Sequence, residues 1–395
     1  MEKSFSDIFK PGAYPQKTYV SRHSNGTRYT YEERLEQSLS IEGYLTYIVG
    51  PSKIGKTVLC ENVIGRENMV SMSGNDFSKE HDFWFGIGKK IGISITARVS
   101  QETSAVSDSE QRSTIITKNY FTTKDRVIQY FIEYKKILVL DDFHYAPSET
   151  QYDIACQLKE VIRSGFKAVA ISLPYRSDDA IRLNPDLTGR ISIIEIEPWK
   201  KEELVRIANK GFSELNLTVE ETFITKMAEE SIQSPQLMQS ICLNIGLLTE
   251  KIEEIAEATI EESCRFTCMN LPYKDVVRIL KAGPSTRGQQ RLKYTLKDGS
   301  QQDIYGLILK ILADNPPLVE LRINELMERV KNNLNDPIIK QKKVKDSLKN
   351  WQKMLEQQGS LYQVLEWKDD AIYILDHMFL FYIRWGLERK DDGYR

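Results

Sequence analysis

The chain of 395 residues has little of what soft-metal and disulfide chemistry require, with only four histidines and five cysteines. Cys60, Cys156, Cys242, Cys264 and Cys268 form an odd, scattered set. That excludes a disulfide framework and suits a reducing cytoplasm. Cys264 and Cys268 are one helical turn apart, but no nearby histidine or second cysteine pair completes a zinc site. Long apolar runs are also missing. No stretch approaches the roughly 18 apolar residues of a spanning helix. The longest candidate, Ala371 to Leu387, is broken by Asp376, His377 and Arg384, so no membrane partner is expected. Met1 to Asp7 lack the apolar centre of a signal peptide. Charge is nearly balanced, at −2 overall, which removes any global pull toward nucleic acid or anionic lipid. There is no internal repeat and no low-complexity tail. The remainder is ordinary globular material, 41% hydrophobic and 28% charged, over a length that calls for two or three domains.

The most informative stretch is Gly50-Pro51-Ser52-Lys53-Ile54-Gly55-Lys56-Thr57, a G-x-x-x-x-G-K-[ST] run. An apolar strand, Tyr44 to Val49, leads into it, and a helical segment opening at Val58 leaves it. Strand, glycine-rich turn and helix is the context of a phosphate-binding loop. Glycines let backbone N–H groups close around phosphate oxygens, and the helix N-terminus adds partial positive charge. Lys56 is expected on the β- and γ-phosphates, and the Thr57 hydroxyl on Mg²⁺.

Along the chain, residues 1–40 read as an N-terminal segment, with an extended piece at Thr18–Arg22 and a helix from Tyr31. Residues 41–198 alternate short apolar strands with helices, which predicts an α/β core with a parallel sheet. The strands are expected at 44–49, 68–73, 135–141, 167–173 and 191–196. Thr96 to Lys118 reads as a polar, exposed connector. Residues 199–282 form a helical lid, with helices near 200–215, 219–231, 235–249 and 252–268. Residues 283–395 carry helices near 302–313, 322–334 and 341–357, then a hairpin turning at Lys368-Asp369-Asp370. Three helices and a hairpin is the order of a winged helix.

Phosphoryl transfer needs a metal anchor, a group that positions water, and positive charge on the transition state. Asp141 and Asp142 end an apolar strand, and an adjacent place in the sheet would set them beside the loop. Asp141 is the metal residue and Asp142 the base or orienter of the attacking water. A glutamate is more usual at the second place, and the shorter aspartate points to slow turnover. Together with the loop, this makes an ATPase site that uses ATP and Mg²⁺. Arg176, after the next strand, and Arg190, before the last one, are candidates for the γ-phosphate, Arg190 in its own chain or in a neighbouring subunit. A surface or salt-bridge role accounts for either arginine equally well.

In this order, Tyr19-Val20-Ser21-Arg22, the loop, Leu138-Val139-Leu140-Asp141-Asp142-Phe143-His144, the stretch from Arg176 to Trp199, Ser234-Pro235-Gln236 and the terminal winged helix resemble the STAND branch of AAA+-related P-loop ATPases over nearly the whole chain. The resemblance implies that Val20 and Arg22 line the adenine pocket and that Pro235, at a lid helix start, contacts the nucleotide. Where that family has a glycine two places before the proline, this chain has Gln233. It further implies a switch that is closed with ADP and forms homo-oligomers with ATP. No effector domain is recognisable before residue 18 and no sensor repeats after residue 387, so the expected target is a separately encoded effector protein. Bacterial relatives often serve antiviral defence modules.

Two other readings use the same residues. From Leu271 to Tyr362 there are 17 Lys and Arg against 10 Asp and Glu. Lys342, Lys343, Lys345 and Lys349 crowd the presumed recognition helix, and Asn350 and Gln352 are candidate base readers. This is the pattern of a DNA-binding regulator or transposition-type AAA+ ATPase. A non-enzymatic scaffold with a degenerate loop is the third reading.

Overall fold

The structure is a computed structural model. It describes residues 3–77, 82–93, 96–102, 115–121, 124–173, 187, 189–249, 255–286, 288, 290–335, 339–358 and 364–386. Arg176 lies outside these residues, and so does the start of the expected hairpin at Tyr362.

Two helices, α1 (Phe5–Ile8) and α2 (Tyr31–Ser40), precede strand β1 (Leu45–Val49), and α3 (Lys56–Ile64) follows the glycine loop. Next come β2 (Met69–Ser73), α4 (Phe83–Lys90), β3 (Thr96–Glu102), β4 (Ile115–Phe121), α5 (Lys124–Glu133) and β5 (Ile137–Asp141). Then α6 (Ser148–Val161), β6 (Ala168–Ser172) and β7 (Ile191–Glu195) complete the α/β part. Five helices follow: α7 (Lys201–Glu214), α8 (Glu221–Glu230), α9 (Pro235–Leu248), α10 (Glu257–Cys268) and α11 (Lys274–Ala282). The remainder holds β8 (Tyr294–Thr295), β9 (Gln301–Gln302), α12 (Ile304–Leu312), β10 (Glu320–Arg322), α13 (Ile323–Asn333) and α14 (Gln341–Gln357). It ends with β11 (Leu365–Lys368), β12 (Ala371–Ile374) and α15 (His377–Trp385).

The chain forms two compact units whose order in sequence interleaves. One comprises Met1–Arg22, Pro51–Gly55 and Glu197–Arg395, and the other His23–Gly50 and Lys56–Ile196. The second unit is built on a five-stranded parallel sheet in the order β2-β5-β6-β1-β7. Every residue of β1 and β6 is buried, as expected of central strands covered on both faces. On one face Trp84, Phe131 and Phe166 interlock, with ring centroids 4.8 Å apart for Phe131–Phe166 and 5.7 Å for Trp84–Phe166. Helix α2 starts in a reciprocal cap, Thr30 with Glu33, which satisfies two N–H groups that the first turn leaves open. Its Arg34 donates through Nη2 to the Ile193 carbonyl of the outer strand β7, at 3.0 Å. This is the α/β P-loop NTPase fold.

In the first unit, α1 seats Phe5 and Phe9 against Phe212 of α7, with centroids 6.3 and 5.4 Å apart. Glycine is required at Gly211 and Gly246, because a Cβ there would fall 2.3 Å from Phe9 and 2.1 Å from Phe5. Helices α7 to α10 pack on one another, and Ser263 of α10 donates to the Ile241 carbonyl of α9. Beyond them, β10, β12 and β11 form a small antiparallel sheet. Trp351 of α14 is fully buried and donates to the Leu280 carbonyl of α11 at 2.8 Å.

Four features differ from the sequence reading. The polar connector contains a paired hairpin, with Thr96 opposite Phe121 and Glu102 opposite Ile115. The residues of these two strands mix polar and apolar types without a clean alternation in sequence. Helix α11 is an additional helix at the end of the expected lid region, burying Val276, Val277 and Leu280. Strand β10 is too short to show alternation. The run from Ala371 on divides at Asp376, whose carboxylate caps α15 by accepting from Met378 N. Among the described residues no helix is long and apolar enough to cross a membrane.

Candidate active site

Strand β1 ends at Val49, and Gly50 N–H donates to the Ser172 carbonyl at the end of β6. The chain then turns through the loop. Lys53 and Gly55 take left-handed backbone angles, φ 63° and 93°, and the second is a glycine's natural conformation. Helix α3 begins at Lys56, so the N–H groups of its first turn open toward the loop. Lys56 is buried and its Nζ donates to the Gly50 carbonyl at 2.8 Å. The ammonium is thereby held over the loop's own entrance instead of in solvent. Pro51, Ser52 and Gly55 are half-buried, Lys53 is exposed and Ile54 is buried, while Val58 sits half-buried in the first turn of α3.

The acid pair arrives from β5. This strand is not adjacent to β1, as the sequence reading assumed: β6 lies between them, a gap of about 10 Å at ordinary strand spacing. The gap is closed by α3, which packs across β5. Thr57 Oγ1 donates to Asp141 Oδ2 at 2.9 Å. A hydroxyl and a carboxylate meeting there are two hard oxygen donors, the type Mg²⁺ takes, with phosphate and water supplying the rest. Among the described residues no cluster of three or more His, Cys, Asp or Glu could hold a metal by itself. Behind the Thr57–Asp141 pair, burial and the Asp141 charge push the Cys60 thiol well above its usual range, so it stays neutral.

Asp142 is exposed and left-handed, with φ 48° and ψ 40°, a conformation aspartate tolerates better than most residues. Its N–H donates to Asp141 Oδ1 at 3.0 Å, and its carbonyl accepts from Tyr145 N at 3.0 Å. A neighbour invisible in sequence packs against this carbonyl. Gly74, after β2, lies so close that a Cβ there would fall 2.3 Å from the Asp142 carbonyl oxygen. His144 is buried, with its ring 4.2 Å from that of Tyr145.

Arg190 is not brought to this centre. It precedes β7, and its carbonyl accepts from Leu45 N at the start of β1. It therefore stands at the edge of the sheet opposite the loop, roughly 13 Å of strand away. Within its own chain it does not reach a phosphate in the loop, which leaves a surface or salt-bridge role or one toward a neighbouring subunit.

Val20, Arg22 and Pro235 belong to the first unit. Val20 is buried. Arg22 is buried as well, its Nε donating to Glu203 Oε2 at 2.9 Å and its Nη2 to the carbonyls of Glu197 and Pro198. Pro235 is the first residue of α9, whose Ser234 cap accepts from Leu237 N. Just before it, Ile232 and Gln233 both take left-handed angles, φ 46° and 57°. Gln233 thus sits in a conformation that a glycine would adopt without strain.

On α14, Lys342 and Lys349 are exposed. Lys343 donates to the Tyr294 hydroxyl and Lys345 pairs with Asp370 at 2.6 Å. The two candidate base readers are engaged within the fold. Asn350 donates to the Tyr305 hydroxyl, and Gln352 accepts from Trp367 N. Cys264 and Cys268 are buried among helices, and burial pushes the Cys268 thiol up to about 12.

No family model matches the chain, and no curated protein matches its sequence. Solved structures with a similar chain path include a Walker-type ATPase of Pyrococcus abyssi, 15% identical, covering 96% of this chain and 97% of that one with a TM-score of 0.47. Cdc6p from Pyrobaculum aerophilum is 13% identical over 97% of this chain and 99% of its own, with a TM-score of 0.43. The RuvB Holliday junction branch migration motor of Thermotoga maritima is 13% identical over 86% of each chain, with a TM-score of 0.38.

Proposed function

We propose that the protein is a Mg²⁺-dependent ATPase that hydrolyses slowly and works as a nucleotide-controlled switch on a separate partner protein. The observation that carries this reading is the meeting of Thr57 and Asp141 at 2.9 Å beside a phosphate loop whose lysine is already buried. In this reading the loop N–H groups and Lys56 bind and neutralise the phosphates. Thr57 and Asp141 hold Mg²⁺, which when bound screens phosphate charge. Asp142 accepts a proton from the attacking water, and its short side chain and strained backbone suit low turnover. The resemblance to STAND ATPases assigns Val20, Arg22 and Pro235 to the nucleotide and a homo-oligomer to the ATP state, where Arg190 would act on a neighbour.

The order α12, β10, α13, α14, β11, β12 supports a winged helix in the terminal region. A switch role suits it better than sequence reading of DNA does, since Asn350 and Gln352 are occupied inside the fold. The test is ATP binding and phosphate release in two variants, with sizing in ADP and in a slowly hydrolysed ATP analogue. Lys56→Ala should lose binding. Asp142→Asn should keep binding, lose phosphate release and run as the larger species with ATP. Normal ATP affinity in Lys56→Ala would refute the reading.

A further inference from the structure

The phosphate loop is held from outside by a residue that phosphate-loop chemistry does not call for. Trp199, buried just before α7, donates its indole N–H to the Ile54 carbonyl at 2.9 Å. The Arg22 guanidinium lies over the same indole, 4.4 Å from the ring centroid. Arg22 is in turn fastened by Glu203, whose Oε2 also accepts from Lys200 N and so caps the start of α7. Four side-chain contacts thus run from the N-terminal segment and the first lid helix to one peptide group in the loop.

That peptide group matters because of its geometry. A trans peptide points its C=O and its N–H in opposite directions. Anchoring the Ile54 oxygen therefore aims the Gly55 N–H the other way, and Gly55 is the loop glycine at φ 93°. An N–H aimed in advance spares the ligand the cost of ordering it. Without its anchor, the Ile54–Gly55 peptide is held less firmly, since Gly55 restricts φ on its side less than any other residue would.

We infer that Trp199 is a positioning residue of the phosphate loop, set by Arg22, which orients the Ile54–Gly55 peptide for phosphate. The inference rests on the ATP-binding reading of the loop. It assigns Arg22 an action through Trp199, in addition to the contact expected from resemblance.

Trp199→Phe keeps a ring under Arg22 and removes only the donor. Steady-state hydrolysis should show KM for ATP raised about fivefold with kcat within twofold, the equivalent of one lost hydrogen bond of about 1 kcal/mol. Arg22→Lys, which keeps a charge opposite Glu203 but loses the planar group over the ring, should also raise KM. Wild-type fluorescence should change on adding ATP, and the part of that change due to Trp199 should vanish in Trp199→Phe. An unaltered KM in Trp199→Phe beside normal wild-type binding overturns the inference alone. So does an equal fall in kcat with a lowered melting temperature, the mark of a merely structural tryptophan. Absence of ATP binding in the wild type would remove the reading of the loop and this inference with it.

Discussion

The ion pair between Glu230 and Arg384 offers the sharpest test of how the first unit is held together. Glu230, at the end of α8, is 3% exposed, and the Arg384 side chain, near the end of α15, is 14% exposed. Nε and Nη2 of Arg384 reach the two carboxylate oxygens at 2.7 and 2.8 Å, a fork that satisfies both partners. Trp385 adds its indole N–H to Glu230 Oε2 at 2.9 Å, and Arg384 Nη1 holds the Ala313 carbonyl at 2.9 Å. Replacing one partner breaks the fork and leaves a buried charge with little compensation, Glu230 keeping only Lys226 at 3.7 Å, which costs about 3–5 kcal/mol. Glu230→Met alone and Arg384→Met alone should each lower the melting temperature by roughly 8–15 °C for a unit of this size. The double variant removes both charges and should recover to within about 1–2 kcal/mol of the wild type, the residue being the unpaired Trp385 N–H. Thermal unfolding followed by circular dichroism measures all three. Single variants costing less than about 1 kcal/mol, or a double variant as unstable as the two singles added, would refute the argument.

Two further outcomes are expected. Gly74→Ala must push the Asp142 carbonyl from the place its Cβ would occupy, so phosphate release should fall at least tenfold while ATP binding stays within about threefold; parallel assays of binding and turnover check this. Burial raises the thiols of Cys60, Cys242, Cys264 and Cys268, so at pH 8 iodoacetamide should label the native protein at Cys156 alone, read by mass spectrometry. Because those folded-state values lie above the unfolded ones, the stability they contribute is complete below pH 9. It is lost as pH rises further, at up to about 1.4 kcal/mol per thiol per pH unit.

The parts of the fold that were legible in sequence are those whose signals are local. The loop glycines, the apolar runs of β1, β5 and β6, and the proline opening α9 each announce themselves within a few residues. The order of strands does not, because nothing in Leu138 to Asp142 says that β6 will intervene between it and β1. Arg190 illustrates the same limit: its place in sequence beside a strand was clear, but the register that puts it at the far edge was not. Gly74 and Trp199 act on Asp142 and Ile54 across long separations, and a glycine or tryptophan alone carries no mark of its partner. A tryptophan at a domain border, with one polar atom to satisfy, was the available signal for the second. In sequence the lysines of α14 form one basic cluster, yet Lys343 and Lys345 are drawn into contacts supplied by β8 and the β11–β12 turn.

The interleaving of the two units bears on how the chain comes off the ribosome. Phe5 and Phe9 are made before Phe212 and the glycine-backed seats they occupy on α7 and α9, which follow about 200 residues later. At ordinary synthesis rates that is a wait of roughly 10–40 s with two aromatic side chains uncovered. The unit translated in the middle has its whole sheet once β7 is made, so it is able to fold before α7 and α9 exist to seat Phe5 and Phe9.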